Sequence, residues 1–397
     1  MARGAGLARR APGDRQVGDR PLTEAGRPPT YEWLQALRGL AALSVVTYHA
    51  FQWIDDRFWV GAAGVDVFFV ISGFIIWTVG SGPEARPAVF VWRRLTRVAP
   101  AYWLATGVVV AIASLWPTLL RQVTLSPAHI ALSLAFVQHI DPRGLPFPVL
   151  PPGWSLDYEA VFYLLFALTL FAPAALRFRL LMAAIMAVIA FGVLDPPRYF
   201  LGANPMLLQF AAGAWIARRG QLGRVTPPQT GAILLATGVA LLAVQGLAGV
   251  RSDLFRPLLW GAPAALIVAG AVALEPLKRL RPPAALRRLG DASYAIYLCH
   301  FIAVALVARL LGAQPSWRFV PAAIAVSLAA GLVTHRWIET PLIAACRAAP
   351  RLLATLLHSV TAGRKSRLPM NTDPTLAAPS AATHRPVCLD RRDKTRR

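Results

Sequence analysis

Residues 62–80 read AAGVDVFFVISGFIIWTVG, an apolar stretch in which Asp66 is the one charged side chain. A helix needs about 20 consecutive, mostly apolar residues to cross the hydrocarbon core of a bilayer. Nine further stretches fit the same description: they are 34–53, 98–119, 154–172, 178–195, 199–217, 229–248, 255–274, 291–312 and 318–342. The sequence therefore predicts an all-α integral membrane protein, a bundle of about ten transmembrane helices.

The basic residues predict how this bundle is oriented. The chain has 41 Lys and Arg against 19 Asp and Glu, and 31 of those cations fall in the two tails and in every second connection. Positively charged loops stay on the cytoplasmic side of a membrane. We therefore expect both termini in the cytoplasm and lipid around the chain. Cations placed between apolar runs do not indicate a nucleic-acid partner.

One apolar stretch, residues 128–140, is too short to count as a span. It has 13 residues and reads AHIALSLAFVQHI. If it crossed the membrane, the basic connections that follow it would all face outwards, which the positive-inside bias disfavours. We therefore expect residues 120–153 to form an outer connection, with re-entry of 128–140 into the membrane left open.

The ends of the chain differ in composition from its centre. Residues 1–33 and 343–397 are polar and basic, and we expect both to be cytoplasmic tails, the first of them disordered, around a membrane domain at 34–342. The three cysteines form no CxxC motif and no cluster with histidines at ligand spacing, so no metal site is predicted.

Ionisable residues inside membrane spans are costly, and each is a candidate for function. The first span carries Arg38 and His49, which are 11 positions apart. On a helix this spacing turns both side chains to one face, about 16 Å apart along the axis. The alternative is an arginine that reaches the inner interface and a histidine that is hydrogen-bonded within the bundle.

Four further charged positions lie in or beside the next two spans. Asp66 comes near the outer end of the second span, where Gly64 and Gly73 allow close helix contact. The inner connection ends with arginines whose planar forks suit phosphate groups or lipid headgroups. They are Arg93, Arg94 and Arg97.

Two later spans begin with polar and aromatic residues. The fourth opens GWSLDYE, so Trp154, Asp157, Tyr158 and Glu159 enter from the outer side as candidate substrate contacts or interfacial anchors. His300 lies near the middle of the ninth span, as a substrate contact or a structural hydrogen-bond partner.

Two polar pairs near the end of the membrane region predict local structure. Asp291 and Ser293 are expected to cap the ninth span. Arg336 and Glu339 are three residues apart and are expected to form an ion pair in the last span.

Six of these segments, in this order, resemble the acyltransferase-3 family of bacterial membrane O-acyltransferases. The resemblance covers residues 34 to about 342 and rests on LRGLAALSVVTYHA, GVDVFFVISGFII, RRLTRVAPAYW, GWSLDYEAVFYLLF, GDASYAIYLCH and IETP. Within the family, the chain is most similar to short exopolysaccharide acetyltransferases of the succinoglycan type. Many members carry two adjacent acids after WSL, whereas here Glu159 is followed by Ala160.

The resemblance implies an enzyme in the bacterial inner membrane. The donor would be acyl-CoA, acetyl-CoA being the simplest, used as a substrate with no bound cofactor. The acceptor would be a hydroxyl group of a cell-envelope or exported carbohydrate. His49 would be the principal catalytic residue with Arg38 as its partner, and the three RRLTR arginines would form the inner patch.

From these residues we expect His49 to act as general base, with Asp66 or Glu159 orienting its imidazole. A covalent acyl-histidine intermediate is an open alternative. Two rival classes also stay open: a transporter or flippase, whose buried charges line a substrate path, and a lipid-binding scaffold. The oligomeric state is not readable from the sequence.

Overall fold

The structure is a computed structural model of the 397-residue chain. It describes residues 31–55, 58–194, 204–249, 255–277, 279–312 and 318–349. Within these ranges the regular elements are helical. Nearly all of both predicted tails lies outside the described residues, as do the first five residues of the sixth predicted span.

Residues 340–349 are helical, and a further twelve α-helices lie among the described residues up to Thr334. They are α1 (Glu32–Phe51), α2 (Gly64–Gly80), α3 (Pro87–Leu115), α4 (Pro127–Leu134), α5 (Trp154–Thr169), α6 (Ala174–Leu194), α7 (Leu207–Gln221), α8 (Pro228–Ala248), α9 (Ala262–Leu274), α10 (Ala284–Asp291), α11 (Ser293–Leu311) and α12 (Phe319–Thr334). Short 3-10 or π turns adjoin four of them, at Trp59–Ala63, Pro151–Gly153, Pro257–Gly261 and His335–Glu339.

Seven helical segments among the described residues are long and apolar enough to cross a membrane. They are Trp59–Gly80, Pro87–Leu115, Ala174–Leu194, Pro228–Ala248, Pro257–Leu274, Ser293–Leu311 and Phe319–Ala349. The predicted all-α, multi-pass architecture is therefore confirmed. The other three predicted spans coincide with α1, α5 and α7, of which α5 and α7 have only 16 and 15 residues. The total of about ten spans and their orientation stay predictions.

Two boundaries differ from those expected around α3 and α4. Helix α3 begins at Pro87, a favoured first helical residue, and not at residue 98, so the three RRLTR arginines lie on a helix. Helix α4 has eight residues and begins at Pro127, after the N-cap Ser126, whose hydroxyl accepts a hydrogen bond from the backbone N–H of His129. A helix of eight residues is about 12 Å long and does not cross a membrane.

The predicted capping of α11 is wrong. Its N-cap is Ala292, which has no side-chain hydrogen bond to the helix. Asp291 is the last residue of α10 and accepts a hydrogen bond from the Gln35 side chain. The Ser293 hydroxyl accepts from Arg38 instead. Both polar groups therefore bind side chains of α1 and do not cap α11.

The N-terminus of α1 is fixed by an acid from the distant end of α9. The carboxylate of Glu275 accepts the backbone N–H groups of Glu32, Trp33 and Leu34 at 3.0, 2.8 and 3.2 Å. These N–H groups have no partner within the helix, and a carboxylate there also matches the helix dipole. The contact fixes the position of the helix that carries Arg38 and His49.

Close backbone contact joins α2 to α7 in the core. A Cβ atom at Gly73 would meet the carbonyl of Phe210, and one at Gly213 would meet the carbonyl of Val70. The expected close approach at Gly73 is therefore present. Small residues at such contacts allow membrane helices to pack through their backbones.

We predict that Gly213→Ala lowers stability by about 1–3 kcal/mol, because the added methyl group pushes α2 and α7 apart. Gly107 is the matched control, since it lies within α3 and a Cβ there meets open space. Gly107→Ala should be neutral or slightly stabilising. Thermal unfolding of the purified protein in detergent measures both changes. An equal shift in the two variants would contradict the packing described.

Candidate functional site

Two cavities open along α1, and each contains one of the two polar residues that the sequence singled out on this helix. Arg38 lies in a cavity of about 150 Å³, and His49 lies in one of about 610 Å³. The side chains are separated by 11 residues, which is about 16 Å of helix. One face of α1 therefore serves two separate chambers at different depths.

The arginine cavity is the smaller chamber. Its charged lining residues are three cations and one anion: Arg38, Arg94, Arg97 and Glu159. Arg38 donates to Ser293 Oγ from Nη2 at 3.0 Å and from Nε at 3.3 Å. The excess of guanidinium groups makes this chamber a candidate site for an anionic ligand.

Only two of the three RRLTR arginines face the arginine cavity. Arg93 is absent from the lining of this cavity and instead lines a neighbouring pocket with Glu84 and Arg86, whereas Arg94 lines both. On a helix, Arg93 and Arg97 differ in direction by only about 40° and Arg94 and Arg97 by about 60°, so helical spacing alone does not decide which of the three lines the cavity. Of the three arginines expected to form the inner patch, Arg93 therefore lies outside this cavity.

Glu159 belongs to the arginine cavity and does not reach His49. Its carboxylate accepts hydrogen bonds from Ser72 Oγ at 2.8 Å and from Tyr163 Oη at 2.6 Å. The expectation that this acid orients His49 is therefore not supported by the geometry. Its charge instead offsets part of the positive charge of the neighbouring arginines.

A second acid, Glu339, joins Arg97 to the last helix. The Glu339 carboxylate lies 3.6 Å from Arg97 and 2.8 Å from His335 Nδ1. The predicted Arg336–Glu339 pair is wrong. A π turn at His335–Glu339 widens the helix, and Arg336 lies over the ring of Trp337 instead.

The histidine cavity is the larger chamber and is rich in aromatic side chains. Those rings belong to Tyr48, Trp53, Phe147, Trp154, Tyr158, Tyr297 and Phe301. The 120–153 connection contributes Arg143, held by the Asp141 carboxylate at 2.9 Å. Burial opposes ionisation of Asp141, but hydrogen bonds from Leu145 N–H and from Arg143 lower its pKa below the usual value.

The His49 ring is oriented by a residue that the sequence did not reveal. His49 Nδ1 lies 2.8 Å from Gln52 Oε1, and Gln52 Nε2 donates to Tyr48 Oη at 2.6 Å. Because the amide nitrogen is used by Tyr48, the amide oxygen accepts the Nδ1 proton. In the neutral ring, Nε2 then keeps its lone pair. His49 is thus arranged as a base by Gln52, its i+3 neighbour.

His300 lies beside His49. The two imidazole centroids are 5.0 Å apart, and His300 Nδ1 contacts the carbonyl of Tyr297 at 2.6 Å. His300 is fully buried, and its Nε2 has no hydrogen-bond partner among the described residues. His300 therefore packs against the His49 ring and does not line the histidine cavity.

Asp66 positions an arginine and not the histidine. Its buried carboxylate accepts from Gln209 and lies 2.9 Å from Arg256 Nη2. Arg256 lines the histidine cavity, over the ring of Trp154. The expected contact between Asp66 and His49 is therefore replaced by an ion pair. Arg256 lies 190 residues away, and no local pattern identifies it as the partner.

Helix α5 divides the two chambers between its faces. Trp154 and Tyr158, four residues apart, line the histidine cavity, whereas Ser155 and Glu159 line the arginine cavity. A shift of one residue rotates the side chain by 100°, which explains the division. Asp157 enters neither lining and is buried, its oxygens without hydrogen-bond partners among the described residues.

Comparison with known proteins identifies the family of the chain. The family model named Acyl_transf_3, an acyltransferase domain, matches residues 31–336. The exopolysaccharide production protein ExoZ of Rhizobium meliloti is 37% identical over 312 residues, which are 76% of this chain and 95% of ExoZ. The peptidoglycan O-acetyltransferase OatA of Listeria monocytogenes is 26% identical over 78% of this chain, but the match covers only 55% of OatA.

A third relative is the putative membrane-bound transacylase BcsY of Komagataeibacter xylinus, 28% identical over 77% of this chain and 81% of BcsY. No solved structure matches the chain. The family model spans well over half of the sequence. The matched region includes the charged residues of both cavities that lie on α1, α3 and α5. The chain therefore belongs to the acyltransferase-3 family of membrane acyltransferases, enzymes that transfer groups other than aminoacyl groups.

Proposed function

We propose that this enzyme transfers an acyl group, acetyl in the simplest case, from cytoplasmic acyl-CoA to a hydroxyl of a cell-envelope or exported carbohydrate. The observation that carries the proposal is the pair of chambers along α1. One presents three arginines, and the other presents an imidazole arranged as a base. The bacterial inner membrane, with both termini in the cytoplasm, is the setting that fits the charge distribution.

The arginine cavity is suited to the donor. The CoA head carries phosphate groups, and arginine forks bind phosphate with paired hydrogen bonds. Arg94 Nε is buried without a hydrogen-bond partner among the described residues, so a donor group is left for a ligand. Acyl-CoA acts here as a substrate, and no resident cofactor is needed.

The histidine cavity is suited to a carbohydrate acceptor. Its volume of about 610 Å³ is within the range of small-molecule sites. Trp154 and Tyr158 offer flat apolar surfaces, and Gln122 and Gln138 offer amides for hydroxyl groups. The names of the relatives support the same acceptor class, since they concern exopolysaccharide and peptidoglycan.

The mechanism proposed for the transfer uses His49 as general base. Nε2 takes the proton from the acceptor hydroxyl while its oxygen attacks the carbonyl carbon of the thioester. The new C–O bond forms, the C–S bond breaks, and the CoA thiolate takes the proton from the imidazolium. Gln52 keeps the Nδ1 proton in place throughout. Arg38, with the other arginines, holds the donor in the adjoining cavity.

We predict that His49→Ala abolishes formation of esterified glycan, whereas Gln52→Leu lowers kcat about tenfold because the base survives but its ring loses orientation. Gln229→Leu is the matched control, since Gln229 is exposed on α8 and outside both cavities. The assay measures free CoA and glycan ester with acetyl-CoA and an envelope glycan extract.

Retention of near-normal turnover by a folded His49→Ala protein would contradict the mechanism. A folded wild-type protein that gives no ester with several donors and acceptors would instead favour the transporter or flippase alternative, for which flux without covalent change is the assay.

We further predict that Arg94→Gln raises the KM for acyl-CoA about 10- to 100-fold, because a charged hydrogen bond to phosphate contributes roughly 1.5–3 kcal/mol. Arg93→Gln, the neighbouring control outside the cavity, should change this KM less than about twofold. Initial rates at varied acetyl-CoA measure both values. If both substitutions raised the KM for acyl-CoA equally, binding of the donor would not depend on which arginine lines the cavity, which would contradict this prediction.

A further inference from the structure

The arginine cavity and the histidine cavity adjoin at one boundary. Among the described residues, Val65 of α2 and Tyr297 of α11 line both. Their side chains are almost fully buried, at 5% and 7% exposure. Any group that passes from one chamber to the other must therefore pass these two side chains.

Hydrogen bonds hold the Tyr297 side chain across this boundary. Its hydroxyl donates to the carbonyl of Pro152 at 2.7 Å and lies 2.8 Å from Ser155 Oγ. The Ser155 hydroxyl has two acceptors within reach of its single proton, the phenol oxygen and, at 3.3 Å, the same Pro152 carbonyl. Pro152 lines the histidine cavity and Ser155 lines the arginine cavity, so the phenol joins α11 to the start of α5 where the chambers meet.

The boundary matters because the two chambers need different access to water. The histidine cavity has room for many water molecules, each of which occupies about 30 Å³ in the liquid. Water is also a nucleophile: if it attacked the thioester carbonyl, a new C–O bond would form, the C–S bond would break, and the products would be free acid and CoA thiol. A transferase must exclude this reaction until its acceptor is bound.

We propose that Tyr297 is a specificity-determining residue, an inference that rests on the proposed function. It makes the enzyme transfer the acyl group to a sugar hydroxyl and not to water. Its hydrogen bonds to Ser155 and Pro152 close the boundary between the chambers. When the acyl end of the donor enters the histidine cavity, it displaces the Tyr297 phenol. At all other times the phenol stays in place. A closed boundary keeps the thioester away from the water around His49.

Tyr294 provides a matched comparison on the same helix, one turn earlier. Its hydroxyl also donates to a backbone carbonyl, that of Val98, at 2.8 Å. Unlike Tyr297, it lines the arginine cavity alone. Replacing either tyrosine with phenylalanine removes one hydroxyl and one such hydrogen bond, but only Tyr297→Phe loosens the boundary.

The test compares CoA release from acetyl-CoA without acceptor and ester formation with a glycan acceptor, in the purified full-length protein. We expect Tyr297→Phe to raise acceptor-independent CoA release about tenfold relative to transfer, as loss of a hydrogen bond of about 1.4 kcal/mol would do. Ser155→Ala removes one of the two partners and should raise the ratio by a smaller factor. Tyr294→Phe should keep the wild-type ratio.

Two results would overturn the role of Tyr297 while leaving the transferase intact. One is normal transfer with an unchanged ratio in Tyr297→Phe and Ser155→Ala. The other is an equal rise in Tyr294→Phe, which would indicate general loosening. If Tyr297→Phe does not fold, Ser155→Ala decides alone. A wild-type protein that forms no ester with any acceptor would overturn the proposed function itself, and this inference with it.

Discussion

An α-helix returns to nearly the same facing direction every eleven residues, and the whole site depends on this property of α1. Arg38 and His49 use that spacing to open into two chambers from one helix face. Charged and polar groups inside a membrane need partners, and both of these residues are held by a neighbour. Ser293 holds Arg38, and Gln52 holds His49. The result is a cation-rich end and an imidazole end on one helix.

The neighbouring helices turn this single spacing into two compartments. Helix α5 presents Trp154 and Tyr158 to the histidine cavity and Glu159 to the arginine cavity. Tyr297 closes the boundary between them. Close glycine contact between α2 and α7, and the capping of α1 by Glu275, give these elements fixed positions. An enzyme that joins reactants from two sides of a membrane needs such separate compartments on one scaffold.

Much of the fold follows from the sequence because hydrophobic length is a strong local signal. The same holds for Arg38 and His49, whose common face follows from helical periodicity alone. Periodicity alone fails for the RRLTR arginines: Arg93 is closer in direction to Arg97 than Arg94 is, but the cavity takes Arg94 and Arg97 and not Arg93.

Partners that are distant in sequence were not predictable. Asp66 and Glu159 looked suited to orient His49, but Asp66 pairs with Arg256 and Glu159 turns to the arginine cavity. Arg256 and Tyr297 carried no local signal for their roles, since their contacts join helices far apart along the chain. The contact of Gln52 with His49 could have been predicted, because the two residues are three positions apart. Polar residues at helix ends are common, however, so Gln52 did not stand out.

In the proposed reaction, donor and acceptor meet at His49 from opposite sides of the bilayer. Proteoliposomes of defined chain orientation, with labelled acetyl-CoA sealed on the Arg38 side and a membrane-impermeant glycan on the His49 side, test this geometry. We expect labelled glycan ester with the wild type, and none with His49→Ala or with the donor moved to the other side. Ester formation only when donor and glycan share one side would contradict it.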